Sequence, residues 1–517
     1  MPRIRSHRIL LVNPRQTLRH YSVQFGLARL SGRRSIMPSL SLAVLAAHTP
    51  EGWHVRIADE ETGAVPYDDS VGVVGITALS NTIDRAYAIA DRFRARGVPV
   101  VLGGPHATFC PEETGAHADA VVQGEAEGVW PQLLSDLEQG ALKRTYRTEA
   151  PMPVECLRPP RWDLVDHRQY VALPVQATRG CPYGCEFCLV PRMFGRSQRV
   201  RPVEAILAEV AALPLKRVFF VDDNLTIDRR FARELVAGLA PLGISWNCQA
   251  SMDIADDPEL VRRMAEAGCG QVLLGFESLN PASIAETGKD QNRLERYERA
   301  VQGLRDAGMF VIGSFIVGFD HDTVEEFDRI THFCGRMGLC FVSINLLGAS
   351  PGTALHARLL AGGRLCDTPA EWRGGMLPVI RYARMSQAEL FSGFTATLQR
   401  FFASEAILQR ARVLFASGRF TRPHPAGDVT LWRRAWISLR LLAYYLATLD
   451  RSRRRLFLWL LGRVRSRQVA SERALFFLLS MQGFRANIQR FTSRRRRLLA
   501  RIAAADPGPW GPPTKQG

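Results

Sequence analysis

The chain has 517 residues, of which 46% are hydrophobic and 23% are charged, as is ordinary for a soluble protein with about two or three globular domains. Its ten cysteines are too few and too scattered for the disulfide framework of a small secreted protein, which excludes that class. The formal net charge is +17, and nearly all of the excess lies in residues 431–501, so the rest of the chain is close to neutral.

Residues 1–140 alternate short β-branched runs with helical stretches, a pattern that predicts a doubly wound parallel sheet. The first run, at 9–12, is too short for a signal-peptide core, so we expect a cytoplasmic protein. Strands are expected at 8–13, 54–59, 71–77, 99–103 and 120–123. Ligands of such sheets bind beyond the carboxyl ends of the strands. Those ends carry small or polar residues that allow close approach of a large ligand: Thr77, Ser80, Gly103, Gly104, Gly124 and Glu125.

A second α/β unit is predicted at 171–360, after a proline-rich linker at 141–170. Helical stretches separate its six candidate strands, at 172–177, 217–221, 245–250, 271–276, 310–317 and 341–346. Six β/α units predict a partial or open barrel with its active residues at the carboxyl ends of the strands. The fold class is therefore α/β: a doubly wound parallel sheet, a partial (β/α)6 barrel, a helical Arg-rich region at 361–504 and a disordered tail at 505–517.

Three cysteines, Cys181, Cys185 and Cys188, share one short loop after the first strand of the second unit, in the spacing C-x3-C-x2-C. Three thiolates can ligate three irons of a cubane [4Fe–4S] cluster and leave the fourth iron open. The alternative is a zinc knuckle, but structural zinc has four closed ligands. The nearest upstream candidates, Cys156 and His167, do not lie at a suitable short spacing, so the cluster is the favoured prediction.

This spacing, with the aromatic Phe187 before the last cysteine, resembles the signature of the radical S-adenosylmethionine (SAM) family. The resemblance covers about residues 171–360 and implies that the barrel binds a [4Fe–4S] cluster and SAM. It also implies that Asp222 and Asp223 lie near the SAM amino group. By the same resemblance, Glu277 and Ser278 contact the ribose, and Gly313 and Gly318 lie beside the adenine. Alternatively, the acidic residues cap helices and the glycines relieve packing.

The first unit resembles the cobalamin-binding domain that precedes the barrel in the largest radical SAM subgroup. Segments 103–108 (GGPHAT) and 124–127 (GEAE) match segments that recur in those domains. The loop after the first strand lacks the Asp-x-His-x-x-Gly motif that supplies a lower cobalt ligand in methionine-synthase-like domains. The resemblance therefore implies cobalamin without a histidine from that loop, and His106 is expected to be structural or solvated. The alternative is a scaffold sheet that has lost its cofactor.

Residues 431–501 hold 18 arginines and no lysine, against two acidic residues, Asp450 and Glu472. Their longest uncharged stretch, at 474–484, has eleven residues, whereas a membrane-spanning helix needs about 20. Arg-rich amphipathic helices with Trp, Phe and Leu suit an anionic bilayer surface, so we predict peripheral contact with the inner face of the membrane. A plain helical subdomain is the main alternative, and nucleic acid is not expected as a partner.

The resemblance implies a cobalamin-dependent C-methyltransferase acting on a small-molecule or lipid substrate, with a flavodoxin or ferredoxin as electron donor. Segments 289–292 and 345–347 resemble the hopanoid C-methylase group. An oxidative cyclase or a C–C bond-forming enzyme of lipid or tetrapyrrole biosynthesis is the alternative. RNA-modifying members carry a second cluster on three N-terminal cysteines, but residues 1–150 contain only Cys110. A non-catalytic docking protein would not need the complete cysteine loop.

Overall fold

The computed structural model of the chain describes residues 6–16, 28, 31–289, 291–417, 419–421, 431–506 and 508–509. These residues form two α/β units followed by a helical region, which confirms the predicted fold class. The predicted tail at 505–517 lies mostly outside the described residues.

The first unit is a parallel six-stranded sheet in the order β2-β1-β3-β4-β5-β6, so the order reverses between β1 and β3. Its strands are β1 (Arg8–Asn13), β2 (His54–Asp59), β3 (Val73–Thr77), β4 (Val100–Gly103), β5 (Ala120–Gln123) and β6 (Thr145–Arg147). Its helices are α1 (Leu40–Ala47), α2 (Ile83–Arg94), α3 (Pro105–Phe109), α4 (Pro111–Ala116) and α5 (Trp130–Glu138). Strand β6 lies inside the predicted linker, and its three residues are too few to produce a periodic signal.

Both faces of this sheet are covered, because its central strands are apolar on both sides. In β1, Ile9 and Leu11 belong to one hydrophobic core, while Leu10 and Val12 belong to the core on the other face. Continuous burial of this kind is typical of parallel strands between two helical layers. The result is the predicted doubly wound sheet, whose ligand crevice is expected where the strand order reverses.

The second unit is a parallel sheet in the order β7-β10-β11-β12-β13-β14, which is the predicted partial barrel. Its strands are β7 (Leu173–Val175), β10 (Arg217–Phe220), β11 (Ser245–Ala250), β12 (Cys269–Glu277), β13 (Phe310–Val317) and β14 (Phe341–Leu346). An antiparallel ribbon of β8 (Thr178–Arg179) and β9 (Arg199–Val200) stands apart from the barrel sheet. The helices are α6 (Val190–Phe194), α7 (Val203–Ala212), α8 (Arg229–Leu239), α9 (Pro258–Glu266), α10 (Pro281–Glu286), α11 (Leu294–Asp306), α12 (Glu326–Met337) and α13 (Ala354–Ala361).

The C-terminal helices pack against the barrel unit, and one of them covers the amino-terminal ends of β13 and β14. They are α14 (Gln387–Phe401), α15 (Ser404–Leu414), α16 (Leu431–Leu446), α17 (Arg451–Arg465), α18 (Ser471–Ser493) and α19 (Arg495–Ala505). The ring of Phe476 on α18 lies 5.7 Å from Phe310 and 5.8 Å from Phe341, which begin β13 and β14. The opposite end of the barrel is therefore the end left open for ligands. Among the described residues, no helix combines the length and the apolar character needed to cross a bilayer.

Candidate cofactor sites

A cavity of about 360 Å³ opens at the carboxyl ends of the barrel strands, where the sequence places the active residues. All three loop cysteines line it, and so does Phe187. Residues on or just after β10, β11, β12, β13 and β14 make up most of the remaining wall. Its polar side chains include Tyr183, Asp223, Asn224, Glu277, Lys289 and Asn345.

The cysteine loop begins after β8 at Gly180, where a neighbouring backbone segment lies so close that only glycine fits. A Cβ on Gly180 would lie 2.3 Å from the carbonyl oxygen of Ser197, and the backbone φ there is +88°. The N–H of Cys181 donates to the carbonyl of Gly195 at 3.3 Å, which fixes the first cysteine beside the end of α6. The loop is therefore ordered by backbone contacts and leaves its thiols facing the cavity.

The thiol chemistry of this loop fits a cluster with an open iron. Burial raises the pKa of Cys185 to about 11 and that of Cys188 to about 12, so metal binding must displace protons. Neither thiol is in a disulfide. In the described part of the chain no fourth cysteine and no histidine lines the cavity. Three sulfur ligands suit the [4Fe–4S] cluster of the prediction and are too few for a closed zinc site.

The two aspartates that follow β10 have different surroundings. Asp222 is fully buried, and its carboxylate accepts hydrogen bonds from the N–H of Ala177 at 3.0 Å and from the N–H and hydroxyl of Thr178. Burial raises its pKa to about 6. Asp223 lines the cavity, and partial desolvation raises its pKa to about 6 as well. Asp222 therefore joins β10 to β7 and β8, and Asp223 faces the predicted SAM position.

Glu277 ends β12 in a strained conformation and forms an ion pair within the cavity. Its φ of 61° is left-handed, which costs a residue other than glycine about 1–3 kcal/mol. The register with β13 shifts between Gly275 and Glu277, as in a β-bulge. The ammonium of Lys289 donates to the Glu277 carboxylate at 2.6 Å and to the Gly275 carbonyl at 3.0 Å. The sequence analysis gave Lys289 only as part of segment 289–292 and not as a site residue, since no spacing links it to β12.

Four of the predicted SAM residues lie outside the cavity wall: Asp222, whose contacts are given above, and Ser278, Gly313 and Gly318. Ser278 is buried, and its hydroxyl accepts a hydrogen bond from the next turn of the chain. A Cβ on Gly313 would lie 3.1 Å from the ring of Phe315, and one on Gly318 would lie 2.6 Å from the ring of Tyr382. Packing against aromatic rings therefore accounts for both glycines. Contact of these residues with SAM stays a prediction.

The crevice of the first sheet lies at the reversal of strand order, as expected. Asn13 at the end of β1 and Thr77 at the end of β3 line a cavity of about 170 Å³. Gly104 has φ +93°, and a Cβ there would lie 2.8 Å from the Thr77 hydroxyl and 3.0 Å from the backbone of Ala78. Small residues at this edge suit a large flat cofactor. Of the other predicted residues, Ser80 follows β3, Gly103 ends β4 and Gly124 follows β5.

His106 is structural, as the sequence suggested. Its imidazole is fully buried, with Nδ1 at 3.2 Å from the Ser80 hydroxyl and Nε2 at 3.4 Å from the Glu113 carboxylate. Burial lowers its pKa, so the neutral ring is favoured. A cobalamin in the crevice would therefore meet small side chains at this edge, while the buried Nε2 of His106 approaches the Glu113 carboxylate without a hydrogen bond.

Glu125, predicted to contact cobalamin, instead forms the centre of a buried ion network between the two units. The Arg179 guanidinium donates to Glu125 at 2.9 Å and to Glu127 at 2.6 Å. Arg199 also donates to the Glu125 carboxylate. Because Arg179 immediately precedes the cysteine loop, the network connects the end of β5 to the predicted cluster site. The Glu125 carboxylate is thus fully engaged, and its contact with cobalamin stays a prediction.

Comparison with known proteins agrees with both sites. The profile of the radical SAM superfamily matches residues 175–334, and that of the B12 binding domain matches residues 28–134. The matched ranges contain the cysteine loop and most of the crevice of the first sheet, whereas β1 with Asn13 precedes the match. Both cofactor-binding units predicted from the sequence are therefore present.

Two curated relatives and one solved structure extend the comparison. The bacteriochlorophyllide d C-12(1)-methyltransferase of Chlorobaculum tepidum is 34% identical over 61% of this chain and 72% of its own length. The hopanoid C-2 methylase of Rhodopseudomonas palustris is 28% identical over 81% of this chain and 82% of its own. The cobalamin-dependent SAM radical enzyme OxsB with bound aqua-cobalamin has the same fold, with a TM-score of 0.60 at 14% identity over 96% of this chain and 84% of its own.

Proposed function

We propose that this chain, which belongs to the cobalamin-dependent radical SAM family, methylates an unactivated carbon of an apolar substrate. The observation that carries the proposal is the three-cysteine cavity, which a buried ion network joins to a cobalamin-binding sheet. An enzyme of this family needs both cofactors near one substrate. The methyltransferase relatives, named for a bacteriochlorophyllide and a hopanoid, support a large apolar substrate for this chain.

The residues at hand would hold the cofactors without further ligands. The three loop cysteines would bind the cluster, and Asp223 and Glu277 offer carboxylates to the amino and hydroxyl groups of SAM. When bound, the cluster and SAM supply a carbon radical that removes hydrogen, and cobalamin supplies the methyl group. The chain's own residues bind and orient these groups.

Two features of the cavity prepare it for radical chemistry. The Lys289 ammonium compensates the buried Glu277 carboxylate, so that this wall does not carry an unpaired charge. Ile316, Leu346 and Leu347 form an apolar part of the wall. Apolar lining excludes water, which protects a reactive carbon radical and suits an apolar substrate.

The proposal includes three further elements. A cytoplasmic flavodoxin or ferredoxin would reduce the cluster, since the described residues offer no second cysteine set for an internal electron donor. The substrate would be a small molecule or a lipid. The protein would work in the cytoplasm and peripherally at the inner face of the membrane, which the Arg-rich C-terminal helices support.

The test is anaerobic reconstitution with iron, sulfide and hydroxocobalamin, followed by incubation with a reduced flavodoxin, trideuteromethyl SAM and cell extracts that contain lipids and tetrapyrroles. Mass spectrometry is expected to find a product that carries a trideuteromethyl group, together with 5′-deoxyadenosine and S-adenosylhomocysteine. Both SAM products are expected because one SAM supplies the radical and another supplies the methyl group.

The matched control pair is Cys185→Ala and Cys156→Ala. Cys185 lines the cavity, whereas Cys156 is exposed in the linker. The first variant should lose the cluster absorbance and every SAM product, and the second should keep them. A cyclised or oxidised product without the label would reject methyl transfer and favour the cyclase alternative. Loss of activity in both variants would reject the assignment of the cluster loop.

A further inference from the structure

Large apolar side chains that face solvent are concentrated on α16, α17 and the turn between them. This region contributes seven of the ten exposed large apolar residues in the described part of the chain. Five of them form the apolar stripe: Trp436, Leu439, Leu442, Leu446 and Leu449. Contiguous exposed apolar surface of this kind marks an interaction site.

The stripe follows one side of α16. Its four members on α16 are spaced by three or four residues, so they share one face of the helix, and Leu449 follows in the turn. The other face is firmly packed, since Ile437, Leu441 and Tyr445 are buried in the core and the Tyr445 hydroxyl donates to the Leu478 carbonyl at 2.9 Å. The helix is therefore anchored on the inside and carries an uncovered apolar face on the outside.

Cationic side chains lie on this helix and on the next one. The Arg440 guanidinium lies 4.5 Å from the centre of the Trp436 ring. On α17, Arg454, Arg455 and Arg465 are exposed and form no ion pair with another described residue. Residues 431–501 carry only two acidic groups against 18 arginines, so this charge is not neutralised within the segment. The apolar stripe, with Arg440 beside Trp436 and exposed arginines on the adjoining α17, complements a surface that is anionic above and apolar below.

We propose that the outer face of α16, with the arginines of α17, docks on a bilayer that contains anionic phospholipids. The apolar stripe enters the boundary between headgroups and acyl chains, and the arginines bind the lipid phosphates. Since no described helix can span a bilayer, the contact is interfacial. The proposal does not depend on the reaction, although a membrane-bound enzyme would have direct access to an apolar substrate.

Vesicle co-sedimentation of the full chain tests the proposal. The probes are vesicles of phosphatidylcholine alone and of phosphatidylcholine with phosphatidylglycerol, and binding is expected to the anionic vesicles. The stripe variant combines Leu439→Gln, Leu442→Gln and Leu446→Gln, all at exposed positions. It should lower the partition coefficient more than about 30-fold, because the apolar side chains no longer favour insertion.

Two variants complete the design. Arg454→Gln with Arg455→Gln should weaken binding to anionic vesicles by about 30-fold, since each arginine near such a surface contributes about fivefold. Leu360→Gln is the matched control: Leu360 is 61% exposed, like Leu439 at 63%, but lies on α13. It should bind as the wild type does. All variants should keep the wild-type melting temperature and SAM cleavage.

Four outcomes would overturn the proposal. They are equal binding to neutral and anionic vesicles, unchanged binding of the stripe variant, an equal loss of binding in the Leu360→Gln control, and a concentration-dependent dimer that the stripe substitutions dissociate. The last outcome would assign the face to a second copy of this chain. None of them bears on methyl transfer, which is measured separately with soluble components.

Discussion

Arg179→Met tests how the two α/β units are joined. The guanidinium is buried and donates to Glu125 and Glu127, whose side chains are 2% and 11% exposed. In the variant Glu125 keeps Arg199, whereas Glu127 loses its guanidinium partner. Although burial alone would raise the pKa of Glu127, Arg179 holds it below its usual value. Removal of Arg179 should therefore raise that pKa.

The expected cost follows from the burial of the pair. Removing one partner of a buried ion pair costs about 3–5 kcal/mol, because an uncompensated charge remains. Both carboxylates are too buried for solvent to screen them, so we expect the free energy of unfolding to fall by about that amount. The double variant Arg179→Met with Glu127→Gln carries no uncompensated charge at position 127 and should recover about 2 kcal/mol.

Urea titration followed by circular dichroism measures the loss, and the matched control is Arg262→Met. Arg262 pairs with Glu259 and Glu266 on an exposed helix face, so its loss should cost less than about 1 kcal/mol. We also expect Arg179→Met to reduce methyl transfer more than SAM cleavage, because the network joins the cobalamin unit to the cluster loop. A midpoint for Arg179→Met equal to that of Arg262→Met would refute this reasoning.

Three other substitutions test single contacts. Asp222→Ala leaves buried donors without an acceptor and should lower the free energy of unfolding by about 3 kcal/mol in urea. Burial raises the pKa of Asp222 to about 6, so protonation of this carboxyl stabilises the folded state. The free energy of unfolding should therefore fall as the pH rises from about 4 to 6. The variant Asp222→Asn should not show this pH dependence. Gly104→Ala should weaken cobalamin binding at least about tenfold in an absorbance titration, unlike Gly128→Ala, whose Cβ meets no atom. Lys289→Met leaves Glu277 unpaired and should weaken SAM binding in equilibrium dialysis while iron and sulfide contents stay unchanged.

Short-range patterns made much of the fold predictable. The strands of both sheets are apolar runs bounded by Gly, Pro or Asp, and burial on both faces leaves such runs unbroken. The cysteine loop was predictable for the same reason, since its three ligands lie within eight residues of sequence. Strand β6 was not, because Tyr146 is its only buried residue.

Which residues form the site depends on tertiary contacts that the separation of residues in the sequence does not reveal. Asp222 and Asp223 are adjacent in sequence, yet one is buried against β7 and the other lines the cavity. Gly313 packs against an aromatic ring from its own strand, and Gly318 packs against Tyr382, 64 positions later. The partners Glu125 and Arg179 are separated by 54 positions. Only the folded chain brings such residues together.

The cluster loop is held by parts of the chain on both sides of the cavity. Arg179 ties its beginning to the cobalamin unit, and within the loop the Glu186 carboxylate accepts from Arg358 of α13 at 2.7 and 2.9 Å. Beyond β14 the backbone of Gly352 meets the ring of Phe109 in the first unit so closely that no Cβ would fit. A hinge between the units would have to break the buried ion network and this contact together. We therefore expect the two cofactor sites to keep a fixed separation, so that one substrate position would serve both hydrogen removal and methyl transfer.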